Sequence, residues 1–182
     1  MSMPTTRRVV TGIDANGKST IIDDQVLTPA NPLDPEGNPP TGVIPGFTNI
    51  AKTDGIPAKA QTPFVDYHGK KIGLVDRSGV FCRIVDFPAV GDALDDVNFM
   101  HLTHSLDFGV VLKGSIKLVL DNGDETIMNE GDVCVQRATN HAWKNVSKEN
   151  CRMLFTLVPA EPPKNETTGE VLQPTDTAHL KE

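Results

Sequence analysis

The chain has 182 residues, 38% of them hydrophobic and 23% charged, with 15 Gly and 14 Pro. That is enough apolar material for one well-buried core, with part of the chain irregular. A formal net charge of −7 and the absence of any Lys/Arg stripe exclude a polyanion-binding role such as nucleic-acid recognition. No run of about eighteen uncharged apolar residues occurs and the N-terminus lacks a signal-type apolar stretch, so a soluble, cytoplasmic protein is expected, with no membrane partner. Cys82, Cys134 and Cys151 are odd in number and widely spaced, which supports neither a disulfide framework nor a cysteine zinc knuckle.

Residues 7–23 form two β-branched runs about Asn16-Gly17, a dipeptide that favours a type I′ turn, and predict an opening hairpin. From Pro29 to Pro63 prolines and glycines recur without helical periodicity. This predicts an extended arm that covers a surface, closes a pocket or meets a second subunit. Strands are expected at 71–75 and 80–87, followed by a regular series at 108–112, 115–120, 125–128, 133–136, 141–145 and 153–158, with turns at Gly114, Asn122-Gly123 and Gly131. Short strands with turns about every six to ten residues predict an all-β sandwich or barrel. Alternation assigns Phe108, Val110 and Leu112, and the even residues Ile116, Leu118 and Leu120, to the core. The tail from Pro159 is polar and proline-rich, and is expected to be mobile or to dock on a neighbour. The expected organisation is a hairpin and arm over 1–70, a β-barrel over 71–160 and a tail over 161–182.

Three of the five histidines, His101, His104 and His141, fall within about forty residues. Strand alternation puts 101, 103, 105 and 107 on one face, and 141, 143 and 145 on one face of a later strand. If both faces look inward, His101, Asp107 and His141 converge. Two imidazoles and a carboxylate suit a divalent metal. His104 points by alternation to the opposite face unless a bulge redirects it, and is the candidate proton shuttle. Trp143 is a candidate pocket wall, and Gln136 and Arg137 are candidates for pairing with a substrate carboxylate or phenolate. No nucleophile elbow, phosphate-binding loop or dinucleotide fingerprint occurs.

Over about residues 80–158 the chain resembles the cupin superfamily, whose motifs run G-x5-H-x-H-x3,4-E-x6-G and G-x5-P-x-G-x2-H-x3-N. Counting back from Gly114, Asp107 stands at the Glu position, His101 at the first His and Thr103 at the second. In the second motif Gly131, His141 and Asn145 match, Gln136-Arg137-Ala138 replaces Pro-x-Gly, and the spacing is one residue shorter. It is similar to small single-domain cupins of bacteria and fungal biosynthetic clusters, with His-x-Thr-x-Ser-x-Asp and Gln-Arg-x-x-x-His-x-Trp.

The resemblance implies a cupin-type β-barrel (double-stranded β-helix, or jelly roll) with an N-terminal hairpin and long arm, and a homodimer. It implies a divalent metal (Fe, Mn, Ni or Zn), or none given the loss of a ligand at Thr103, on His101, Asp107 and His141. Thr103, Gln136, Arg137 and Trp143 would contact substrate, and His104 and Asp107 would act in catalysis. The expected function is metal-assisted lyase or isomerase chemistry on an oxygenated metabolite; the alternatives are a non-haem Fe(II) dioxygenase and a non-catalytic small-molecule-binding cupin.

Overall fold

A computed structural model of the chain describes residues 3–89 and 99–176. Its ten strands are β1 (Thr6–Ile13), β2 (Ser19–Leu27), β3 (Gly46–Lys52), β4 (Phe81–Phe87), β5 (Ser105–Lys113), β6 (Ser115–Leu120), β7 (Glu125–Asn129), β8 (Val133–Arg137), β9 (His141–Lys144) and β10 (Cys151–Pro159). All strand pairs are antiparallel. The hairpin β1–β2 is a sheet of its own; the others form a five-stranded sheet, β3-β4-β10-β5-β8, and a three-stranded one, β7-β6-β9. The core holds Phe81, Val85, Val111, Met153, Phe155 and Leu157 from the larger sheet, with Ile116 and Met128 from the smaller. The two inner faces therefore bury one another, the arrangement of a jelly roll. Among the described residues, no helix is long and apolar enough to cross a membrane.

Strand β10 shows the sequence rule at work: Cys151, Met153, Phe155 and Leu157 alternate inward along its length. Opposite it, Gly109 allows β5 to approach closely, since a Cβ there would lie 2.9 Å from Cε1 of Phe155. Strand β4 buries Phe81, Arg83 and Val85 on the inner side. On its other side Asp86, fully buried, accepts two hydrogen bonds from the Arg152 guanidinium at 2.8 and 2.9 Å.

Five expectations change. The arm is not wholly irregular: β3 lies within it and forms the edge of the five-stranded sheet, beside β4. The stretch 71–75 forms no strand. On β5 the inward residues are Ser105, Asp107, Gly109 and Val111, so Phe108 and Leu112 face out, at 44% and 40% exposure. With a period of two, Asp107 and Phe108 cannot share a face. The tail docks on its own chain, where Thr175 exchanges hydrogen bonds with the Leu102 backbone and Ala160 N–H donates to the His104 carbonyl. In β6 only Ile116 is fully buried.

Candidate functional site

His101 and His141 are directly opposed. Each backbone N–H donates to the other's carbonyl, at 2.9 and 3.0 Å, the hydrogen-bonded pair of an antiparallel ladder. Residues opposed in this way project side chains to the same face, and the two rings lie with centroids 4.2 Å apart. Phe99 stacks on His101 at 5.2 Å, and Trp143 meets His141 edge-on at 5.8 Å and Phe155 at 5.6 Å. The turn before β9 sets His141 in place. Within it Ala138 has φ 49, a left-handed conformation costing about 1 kcal/mol for a residue with a Cβ, at the position where the family pattern has glycine.

Both imidazoles are oriented through the same nitrogen. Nδ1 of His101 lies 3.1 Å from the Phe99 carbonyl, and Nδ1 of His141 lies 2.9 Å from the Thr139 carbonyl. Nδ1–H donation to a carbonyl leaves Nε2 with its lone pair free, the tautomer that binds a metal or accepts a proton. Burial lowers the His101 pKa, and burial followed by the proximity of His101 lowers that of His141 to about 4. Both rings are therefore neutral at pH 7. Burial pushes Asp107 up to about 6, against the pull of the Ser105 hydroxyl and the Arg83 charge, and its buried Oδ1 has no hydrogen-bond partner.

These groups face a cavity of about 400 Å³. His101, Thr103, Asp107, His141 and Asn145 supply its polar wall; Val85, Phe87, Trp143, Phe155 and Leu157 supply apolar wall from the sheets. The arm closes one side with Leu33, Val43 and Ile44, which is the pocket-closing role among those its length suggested. Asn145 is committed to structure, since its Nδ2 donates to the carbonyls of Phe87, Pro88 and Glu149. Thr103 accepts a hydrogen bond from the Ser105 hydroxyl at 3.0 Å.

Three expected site residues lie elsewhere. His104 is buried off the cavity, its Nε2 2.9 Å from the Leu172 carbonyl of the tail, because alternation turns it away from His101 and Thr103. Gln136 is buried opposite Asp107 in the β5–β8 ladder, but its amide is bonded to Thr139 and it does not line the cavity. Arg137, its neighbour on β8, points to the exposed side.

The residue that sequence reasoning passed over is Arg83, a buried guanidinium on the cavity wall. The signal was present in Phe81-Cys-Arg83-Ile-Val85-Asp-Phe87, where an arginine occupies an inward slot of an otherwise apolar face.

The residues fit a divalent metal only in part. Two neutral imidazoles with free Nε2 atoms on one wall are suitable donors, and the orphaned Asp107 oxygen is of the right kind. Among the described residues, however, no group of three or more His, Cys, Asp or Glu comes together to hold a metal ion. The expected triad is thus two adjacent ligands with a carboxylate on the same cavity, not a gathered set of three.

Residues 96–157 match the family model described as a cupin domain. Over 91 residues, 50% of this chain and 46% of the relative, the sequence is 46% identical to phomopsin biosynthesis cluster protein D of Diaporthe leptostromiformis. Over 90 residues, 47% of this chain and 41% of the relative, it is 46% identical to the cupin-domain-containing oxidoreductase fogC of Aspergillus ruber. The aligned stretches span less than half the length of either relative. The cupin domain of Schizosaccharomyces pombe Cnp3 superposes with a TM-score of 0.44 at 14% identity, covering 84% of this chain and 87% of that one. With an all-β jelly roll, the paired histidines and a matching signature over residues 96–157, the chain is similar to cupin domains over that stretch.

Proposed function

We propose that this chain is a cupin enzyme of a secondary-metabolite pathway, performing proton-transfer chemistry, dehydration or isomerisation, on an oxygenated small molecule bound in the cavity. The observation that carries the reading is the pair of neutral imidazoles, 4.2 Å apart and facing an apolar cavity that also holds a carboxyl group with a pKa of about 6. A group titrating near neutral pH exchanges protons effectively under working conditions, which suits Asp107 to general acid–base work. His101 and His141 offer Nε2 lone pairs to the same space. Trp143 and Phe155 hold the apolar body of a ligand and keep water from the reacting atoms. A divalent metal on His101 and His141, with Asp107 as third partner, would polarise a carbonyl or enolate oxygen when bound.

An oxidoreductase is the second reading, favoured by the name of the Aspergillus ruber relative. Metal analysis followed by oxygen-uptake measurements with turned-over substrate separates the two. His141→Ala is expected to abolish metal binding and turnover together. Less than about a tenth of an equivalent of metal after loading with Fe(II), Mn(II), Ni(II) or Zn(II) would sink the metal-assisted form. Unchanged turnover in His141→Ala would sink the site itself and leave a binding module.

A further inference from the structure

Arg83 is 3% exposed, yet the fold neutralises it poorly. Among the described residues its guanidinium makes one hydrogen bond, from Nη2 to the Gly73 carbonyl at 2.7 Å, and Nε is buried without a partner. Among the described residues no carboxylate stands within 4.0 Å of it. Asp107 acts on it only at longer range, and burial works against ionisation of that carboxyl. The guanidinium is instead held between rings, 4.1 Å from the Phe81 centroid and 4.9 Å from that of Phe47. Ring stacking fixes the plane of the fork while leaving N–H donors unspent.

A buried cation without a paired anion is costly, and such sites are completed by a ligand or by water. Arg83 borders two cavities. One, of about 20 Å³, has room for a single water molecule and cannot admit a carboxylate. The other is the 400 Å³ cavity, whose lining contains no further Lys or Arg among the described residues. One guanidinium and one nearby acid match a monoanion better than a phosphate dianion, and the remaining wall is largely apolar.

We propose that Arg83 is the anchor for a substrate carboxylate, so that the cavity takes a carboxylic acid carrying an apolar body. This rests on the cavity being the substrate site. The planar fork pairs with both carboxylate oxygens, and the apolar chain or ring extends along Phe87, Trp143 and Phe155.

Trp143 is the one tryptophan in the chain and lines the cavity, so its fluorescence reports occupancy. Titration of the full chain, in EDTA so that no metal competes for the carboxylate, uses sodium octanoate and the uncharged methyl octanoate as probes. Octanoate is expected to bind at least about tenfold more tightly than its ester in the wild-type chain, as a charge-assisted bidentate pair requires. Arg83→Met is expected to lose that preference. Equal affinity for the two probes, no saturable response to either, or an intact preference in Arg83→Met overturns the proposal. Should Arg83→Met fail to fold by circular dichroism, Arg83→Lys decides: octanoate binding weakened about threefold or more supports the fork, and unchanged binding refutes it. Because binding needs neither metal nor turnover, the two readings fail separately. An anion preference in a protein without turnover leaves the anchor standing, whereas turnover without anion preference removes the anchor alone.

Discussion

Replacing Asp107 by Asn is expected to stabilise the protein at neutral pH and to do nothing at pH 4. In the folded chain burial raises this carboxyl from 3.8 to about 6. A raised pKa contributes stability that is fully present below the unfolded value, near pH 4, and is lost as pH rises through the folded value, near pH 6. A carboxyl raised from 3.8 to about 6 corresponds to about 3 kcal/mol at pH 7, as an upper bound. Asparagine keeps the shape of the protonated acid and carries no charge, so it escapes that loss. For a chain of this size 1 kcal/mol moves Tm by about 2–4 °C, which makes the expected gain as much as about 10 °C at pH 7.

His141 has the opposite sign. Its folded pKa of about 4 lies below the ordinary 6.5, so its contribution is present above pH 6.5 and is lost as pH falls towards 4. In the wild type the two slopes oppose one another between pH 4 and 6. In Asp107→Asn the histidine slope stands alone, and stability should fall with acidity more steeply than in wild type. Thermal and urea unfolding of both proteins from pH 4 to 7, with chelator present so that no metal holds the carboxylate ionised, gives the difference curve. An advantage independent of pH, or a variant no more stable than wild type at pH 7, would refute the assignment of Asp107 as a desolvated, unpaired acid.

Gly109→Ala is expected to cost about 1–3 kcal/mol in urea unfolding, because the new Cβ meets the Phe155 ring at 2.9 Å within a packed core. Turnover should suffer too, since Phe155 lines the cavity and supports Trp143. His104→Gln is expected to leave turnover intact while loosening the tail at Leu172, read as faster proteolysis near the C-terminus; a large loss of turnover would return His104 to a catalytic role. The homodimer we propose would elute at twice 19.7 kDa by light scattering, and a monomer at micromolar concentration would refute it. Exposed Val9, Ile21, Ile22 and Val26 on the β1–β2 hairpin offer apolar surface for such an association.

What the sequence determined by itself was whatever depends on local periodicity and turn chemistry. Alternating runs and glycine turns located β4 and β6 to β10 to within a residue or two, and spacing put His101, Thr103, Asp107, His141 and Trp143 on one cavity. Alternation also aimed His104 away, as its bond to Leu172 bears out. Tertiary structure decided the matters that turn on which strand lies beside which. β3 reads locally as a proline- and glycine-rich arm, and becomes a strand because β4 offers it an open edge. The direct opposition of His101 and His141, and the docking of the tail on 102–104, come from pairings across the fold. So does the fate of charge. Asp107 lies on the expected wall but outside a three-ligand group, and Arg83, one of six arginines in the sequence, is the one the fold buries on that cavity. Burial and through-space electrostatics depend on every neighbour at once, and no local pattern encodes them.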